Sequence, residues 1–156
     1  MENISIIKLY NKYIKDTEKE VIVANRQIVI CFLTNAVITA INFKSPKVYI
    51  NTRILKHLYD KRTAEEFNFM IHNIWKVVKY PDFIYSDKNS KRGQLAFVKN
   101  LGKFTYFCPI EIGKENNYVI TIFRTDIEYL KNMSLFGAGR AAFLHLNTFD
   151  IGLAAA

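Results

Sequence analysis

The stretch TAEEFNFMIHNIWKVVKYPD, residues 63–82, carries the strongest secondary-structure signals in the chain. Thr63 followed by Glu66 is the capping-box pattern of a helix start. Apolar residues then recur at three- and four-residue spacing, which is typical of a helix with one buried face. Pro81 ends the pattern, because proline has no backbone N–H to continue a helix. We therefore predict a helix over residues 64–79.

Strand-like stretches follow this helix at residues 95–98, 104–112 and 118–125. They are rich in β-branched and aromatic residues, and good turn sequences separate them at residues 100–103 and 113–117. A short helix is predicted next, at residues 126–133. Helices that precede a run of neighbouring strands indicate an α+β fold rather than alternating strands and helices.

Upstream of residue 63 the sequence predicts two further helices and leaves one stretch open. Apolar spacing indicates an amphipathic helix at residues 3–16. Residues 20–43 fit one or two buried strands, or a strand followed by a buried helix. A short strand at residues 48–50 leads into the Asn-Thr pair at 51–52, and either residue can cap a helix that runs to about Lys61.

Positive charge is concentrated in the middle of the chain. The formal net charge is +8, and residues 44–131 contribute +7 of it, with 16 basic and 9 acidic side chains. Such a field attracts polyanions, so nucleic acid is the first partner to consider. A genome rich in A and T would also raise the lysine content, so a purely compositional origin stays open.

Several classes of protein are disfavoured by what the sequence lacks. It has no glycine-rich phosphate loop, no G-x-S-x-G elbow, no HExxH motif and no carboxylate cluster suited to two metal ions. Cys31 and Cys108 lie among apolar residues and are expected to be buried, reduced thiols. The longest uncharged stretch, residues 27–42, is shorter than the roughly 20 residues of a membrane span. We expect a cytoplasmic protein with no membrane contact, no metal and no cofactor.

The segment RILKHLYDKR, residues 53–62, has the residue types that metal-free RNA cleavage requires. That reaction needs a base, an acid, and cations that stabilise the charge on phosphate. His57 is the one side chain there that titrates near neutral pH, so it is the preferred acid or base. The side chains expected to bind nucleic acid are Arg53, Lys56 and Lys61. A solvated helix face with a hydrogen-bonded histidine is the alternative.

Two further places could contribute. In the loop 86–93 the cations are Lys88, Lys91 and Arg92, which could approach a substrate phosphate or simply keep a turn soluble. On the late strand, Thr121 and Arg124 are polar among apolar neighbours, and an arginine on a central strand favours a functional role. Strict alternation places these two side chains on opposite faces, so both can line one site only if a bulge intervenes. Aromatic residues that could stack bases or fill the core are Tyr80, Phe83, Tyr85, Tyr106 and Tyr118.

Four stretches together resemble a known family: VYINTRILKHLYDKR (48–62), EEFNFMIHNIWKVVKYPDFIY (65–85), KRG-x-L-x-F (91–97) and YVITIFRT (118–125). They are similar to the phage-associated nuclease domains grouped as barnase, EndoU, colicin E5/D and RelE-like. The resemblance covers residues 47–132. It implies N-terminal helices packed on a four-stranded antiparallel sheet, and a metal-independent ribonuclease or a decayed relative of one.

At matching positions the resemblance implies a catalytic set of His57, Arg62, Thr121 and Arg124, with Lys56 or Lys91 as supporting cations. Many relatives have a histidine at the position of Arg62. Arginine cannot deprotonate to replace it as an acid or base. The set can act together only if the cations of the KHLYDKR helix and of the ITIFRT strand converge on one groove.

These observations predict three regions and one leading function. Residues 1–46 would be a helix and strand extension, residues 47–133 the nuclease domain, and residues 134–156 an atypical tail whose final alanines resemble sequence added by cloning. The leading hypothesis is a toxin-type or prophage endoribonuclease that cleaves RNA, either tRNA or mRNA, by 2′-OH transesterification. The alternatives are an inactive RNA- or protein-binding phage module, such as an inhibitor of a host defence complex, and a structural phage protein. A cognate antitoxin is a further possible partner.

Overall fold

The computed structural model describes residues 4–41, 43–86, 95–125 and 143–145. Its helices are α1 (Ile4–Tyr13), α2 (Asn35–Ile41), α3 (Thr52–Lys61) and α4 (Ala64–Lys79). Its strands are β1 (Gln27–Phe32), β2 (Lys47–Asn51), β3 (Phe83–Ser86), β4 (Leu95–Leu101), β5 (Phe104–Ile112), β6 (Asn117–Val119), β7 (Phe123–Thr125) and β8 (Phe143–His145). The predicted α+β class is confirmed. The helix predicted at 126–133 and most of the tail lie outside the described residues.

Local capping fixes the starts of the two central helices. The Asn51 side chain accepts a 2.9 Å hydrogen bond from the Ile54 N–H at the start of α3. The Thr63 hydroxyl accepts a 3.2 Å bond from the Glu66 N–H at the start of α4, as the capping-box pattern predicts. Each bond satisfies an N–H that the first turn of a helix leaves without a backbone partner.

The described strands form one sheet in the order β1-β2-β6-β5-β4-β3-β8, and β7 also pairs with β5. The β2–β6 pair is parallel, whereas the other pairs are antiparallel. The expected four-stranded, wholly antiparallel sheet is therefore wrong in size and in one pairing. The sheet is larger because, among other strands, β1 and β2 extend it beyond β6. The β2–β6 pair is parallel, and parallel strands need a long crossover connection between them.

Two local predictions are resolved by the structure. In residues 20–43, the alternative of a strand followed by a helix is the one observed, as β1 and α2. The turn predicted after β4 is a two-residue connection, since Leu101 pairs with Phe104. Gly102 has a φ of 63° there, a conformation that glycine adopts without the steric penalty of a side chain.

The larger hydrophobic core packs the helices on the sheet and runs from Ile6 in α1 to Ile122 beside β7, and a smaller cluster is centred on Val98 and Phe107. Cys31 and Cys108 are both buried, as predicted, and the two do not form a disulfide bond. The predicted boundary between residues 46 and 47 falls between β1 and β2, which pair along their whole length. Within the described ranges, no helix has the combined length and apolarity of a bilayer span.

Candidate active site

The outer face of α3 carries three of the residues singled out by the sequence. Arg53, His57 and Lys61 are all exposed, whereas Leu55 and Leu58 on the opposite side are buried. The three lie four residues apart, about 6 Å along the helix axis for each step. No described residue forms a hydrogen bond or ion pair with the side chain of His57. We call these three residues the α3 face.

Lys56, which the sequence predicts to bind nucleic acid, is instead an internal residue. It is 5% exposed, and its Nζ atom donates 2.6 Å hydrogen bonds to the Glu18 carbonyl and to Oδ1 of Asp60. The structure places this charge in an ion pair with Asp60 and not on the exposed face of α3.

Asp60 joins α3 to the turn that precedes β1. Its Oδ2 atom accepts a 3.0 Å hydrogen bond from the Glu20 N–H, while Oδ1 binds Lys56. Burial by itself would raise the pKa of Asp60, but the hydrogen bonds from Lys56 and from the Glu20 N–H lower it below its ordinary value. Lys56 and Asp60 therefore hold residues 18–20 against the helix. We call this pair the Lys56–Asp60 clamp.

A cavity of about 850 Å³ lies between α3 and the clamped segment, and we call it the α3 groove. Its lining residues are Lys19, Glu20, Val21, Ile22, Val23, Asn25, Arg53, Lys56, His57, Asp60 and Lys61. A second cavity of about 290 Å³ includes Arg62 and Phe67, and it shares Lys19 and Asp60 with the groove. The two cavities are therefore neighbours along α3.

Arg62 connects the end of α3 to the late strand region. Its Nη2 atom donates a 3.2 Å hydrogen bond to the Ile122 carbonyl. Its Nε atom lies 3.7 Å from Oε1 of Glu66 and is buried without a hydrogen-bond partner among the described groups. The guanidinium of Arg62 is thus bonded to Ile122, which precedes Arg124 by two residues in the chain.

The strand that carries Arg124 contains one extra residue opposite β5. Val119 pairs with Ile110 in β6, whereas Phe123 pairs with Phe107 in β7. The late strand therefore advances four positions while β5 advances three, which is the signature of a bulge. The single predicted strand 118–125 is divided at this point. The side chains therefore do not alternate strictly between the two faces of the sheet across the bulge, and the argument that Thr121 and Arg124 must lie on opposite faces does not apply.

Arg124 is held by aromatic side chains. Its Nε atom donates a 2.8 Å hydrogen bond to the Tyr106 hydroxyl, and its guanidinium lies 3.8 Å from the centroid of the Phe104 ring. The bond to Tyr106 raises the pKa of Arg124, with a further contribution from Glu66, so the side chain stays charged. Burial raises the pKa of the Tyr106 hydroxyl, although the bond from Arg124 acts in the opposite direction. We call Arg62, Glu66, Tyr106 and Arg124 the arginine cluster.

The structure brings some of the predicted site residues together and leaves others apart. Arg62 and Arg124 share Glu66 as an electrostatic neighbour. Thr121 is half-buried and directly precedes Ile122, whose carbonyl binds Arg62. His57 lies in the α3 groove, and neither described cavity contains both His57 and Arg124. The predicted loop cations Lys88, Lys91 and Arg92 lie outside the described residues.

Sequence analysis missed two members of the arginine cluster. Glu66 was interpreted only as part of the capping box, and Tyr106 as a base-stacking or core residue. The capping box does signal that Glu66 lies beside Arg62, because residues four apart are neighbours where a helix begins. In the part of the chain that the structure describes, no group of three or more His, Cys, Asp or Glu side chains could hold a metal ion.

Comparison with known families places the chain in a class of nuclease-like proteins. A family model described as phage-Barnase-EndoU-ColicinE5/D-RelE like nuclease3 matches residues 27–132, about two thirds of the chain. The chain belongs to this family. The match begins at β1, upstream of the resemblance traced in the sequence. Comparisons with curated proteins and with solved structures give no match.

Proposed function

We propose that the protein is a metal-independent endoribonuclease that cleaves RNA by 2′-OH transesterification. The observation that carries the proposal is the hydrogen bond from Arg62 to the Ile122 carbonyl. It joins the cationic helix α3 to the strand that carries Arg124, in a chain that belongs to a nuclease-like family. RNA, either tRNA or mRNA, is the proposed substrate.

In this proposal Arg62 and Arg124 stabilise the negative charge that develops on the phosphate. An arginine presents five N–H donors in a planar fork that matches phosphate oxygens. Among the described groups, only the Nε donor of Arg124 has a hydrogen-bond partner, which is Tyr106. In this proposal the terminal nitrogens of Arg124, which have no hydrogen-bond partner among the described residues, bind the phosphate, and Tyr106 and Phe104 fix their orientation.

Proton transfer is assigned to His57, with Glu66 as the competing candidate. The reaction needs the 2′-OH proton to be removed and the 5′ leaving oxygen to be protonated, and one group that takes up the first proton and then donates it can perform both steps. Glu66 lies beside Arg62, whereas His57 lines the α3 groove, which is the cavity next to the one that includes Arg62. Thr121 would contact the substrate from the bulge. Arg53 and Lys61, together with Lys88, Lys91 and Arg92, would bind flanking phosphates.

The test is cleavage of total cellular RNA by purified protein in the presence of EDTA. Wild-type protein should produce discrete cuts, and Arg124→Ala should abolish them. His57→Ala and Glu66→Gln are assayed side by side. The variant that loses cleavage identifies the proton-transfer group. Lys114→Ala is the matched control, because Lys114 is an exposed cation in the β5–β6 turn. Cleavage that persists in Arg124→Ala would contradict the proposed site.

A second candidate is a binding module that has lost catalysis, such as a phage inhibitor of a host defence complex. The observation that supports it is that His57 and Arg124 line no common cavity among those that the described residues form. This candidate predicts RNA binding without cleavage, or binding to a protein partner such as an antitoxin. RNA affinity that falls steeply with rising salt, together with intact RNA after long incubation, would support the inactive RNA-binding form.

A further inference from the structure

The two walls of the α3 groove differ in chemistry. One wall is the aliphatic run Val21, Ile22 and Val23, in which Ile22 is 96% exposed and Val21 is 44% exposed. The other wall is the α3 face. The exposed side chains of Ile22 and Val21 leave apolar surface in contact with water. Apolar surface that borders a groove is typical of an interaction site.

The aliphatic wall also has backbone groups that can pair with another chain. It precedes β1 by three residues, and β1 is the edge strand on this side of the sheet formed by the described strands. Within the described part of the chain, the backbone of Ile22 and of Val23 has no hydrogen-bond partner. A segment whose backbone N–H and C=O groups lack a partner among the described residues, next to a sheet edge, can pair with an added strand.

The Lys56–Asp60 clamp fixes this wall in place. Lys56 binds the Glu18 carbonyl, and Asp60 binds the Glu20 N–H. Glu20 has a φ of 64°, a left-handed conformation that is uncommon outside glycine. The clamp thereby holds the start of the aliphatic wall to the helix before any ligand binds. A preformed groove lowers the entropy that a ligand must lose on binding.

Charge and side-chain type narrow the choice of ligand. Once Lys56 and Asp60 neutralise each other, the remaining charged lining residues are Lys19, Arg53 and Lys61 against Glu20 alone. The groove therefore attracts an anion. Its lining contains no Phe, Tyr or Trp, and only His57 and Arg53 among its side chains could stack on a base, whereas sites for single-stranded RNA commonly use several aromatic side chains. Aliphatic residues suit the aliphatic side chains of a peptide.

We propose that the α3 groove binds an extended acidic segment of a partner protein. Its aliphatic side chains would pack on Val21 and Ile22, and its carboxylates would bind Arg53 and Lys61. The binding itself does not depend on the proposed ribonuclease activity. Only its consequence rests on that function: because Arg53 and Lys61 are also the proposed RNA contacts, the bound peptide would compete with RNA.

The probe is a fluorescein-labelled synthetic peptide of about six residues, the length of a typical strand, in which Glu alternates with Val. Fluorescence anisotropy should show saturable binding to the full chain. Ile22→Ser and Lys61→Glu should each weaken binding by about tenfold or more, as expected for residues at the centre of an interface. A peptide with Lys in place of Glu should not bind.

Matched controls separate the groove from general stickiness. Ile4→Ser removes an isoleucine that is 45% exposed in α1, away from the groove, and Lys114→Glu reverses an exposed charge in the β5–β6 turn. Both should leave peptide binding unchanged. Absence of saturable peptide binding, or binding that is insensitive to Ile22→Ser, would overturn the proposal. Tighter binding of a single-stranded RNA that depends on Arg53 but not on Ile22 would also overturn it and assign the groove to RNA.

A competition assay tests the consequence separately. Addition of the acidic peptide should inhibit RNA cleavage by wild-type protein but not by Ile22→Ser, whose basal cleavage should be unchanged. If the chain cleaves no RNA at all, the ribonuclease proposal fails while the anisotropy experiment still decides the peptide proposal. Cleavage that continues at saturating peptide would show that the groove lies outside the RNA path.

Discussion

Arg124 and Tyr106 lie opposite each other on β7 and β5, and Nε of Arg124 donates a 2.8 Å hydrogen bond to the Tyr106 hydroxyl. The Phe104 ring lies 3.8 Å from the same guanidinium. Two aromatic residues of one strand thus fix the plane and direction of a single cation. An arginine held in this way is preorganised, so it can stabilise developing charge without reorganising during the reaction.

Arg124→Lys is predicted to retain the positive charge and lose the function. Lysine has no planar fork, so it cannot bond Tyr106 and present two further donors in one plane. We expect RNA cleavage to fall by about 100-fold, the lower range for loss of one preorganised donor. Single-turnover cleavage measures the effect, and circular dichroism checks the fold. Tyr106→Phe should give a smaller loss, because the stacked ring remains; equal activity of Arg124→Lys and wild type would argue against a phosphate-binding role.

Lys56→Met is predicted to destabilise the fold because it leaves Asp60 without its cation. The two side chains are only 7% and 10% exposed, and breaking a buried pair by removing one partner costs about 3–5 kcal/mol. Urea denaturation monitored by the single tryptophan measures the free energy of unfolding. Lys61→Met, at an exposed position of the same helix, should change it by less than about 0.5 kcal/mol. A loss no larger in Lys56→Met than in Lys61→Met would show that the clamp does not stabilise the fold.

Asp60 is predicted to make stability depend on acidity. Its pKa in the folded protein is lowered, because the hydrogen bonds from Lys56 and the Glu20 N–H outweigh the effect of burial. The folded state therefore binds this proton less readily than the unfolded state, whose aspartate pKa is about 3.9. The stabilisation is complete above that pH and is lost as the pH falls through the lower, folded-state value. Thermal melts of wild type and Asp60→Asn across this range should converge at low pH; a constant difference would contradict the assignment.

The elements that the sequence predicts correctly are those set by local chemistry. Helix α4 follows from its cap at Thr63, its apolar spacing and Pro81, all within one segment. The burial of Lys56 could not be predicted in this way, because it depends on the Glu18 carbonyl, 38 residues away in the chain. The bulge before Arg124 also escaped prediction, since the register of the late strand is defined only against β5.

The extra residue in the late strand provides a direct test of the role of Thr121. Pairing of the Ile120 N–H with the Pro109 carbonyl shows that the β6 register continues to Ile120, so the additional position falls between Ile120 and Phe123. Deletion of Thr121 would remove the extra residue, so the late strand could pair with β5 without a bulge. Arg124 would still lie opposite Tyr106.

We therefore expect the Thr121 deletion to fold with a free energy of unfolding within about 1 kcal/mol of wild type, as for a change that leaves core packing intact. RNA cleavage should nevertheless fall, since bulges beside active sites serve to direct a side chain, and this one would be gone. Thr121→Val, which keeps the bulge and removes only the hydroxyl, shows whether the hydroxyl or the backbone shape is required. A stable deletion variant with full activity would remove Thr121 from the site and leave Arg124 as the only contributor from this strand.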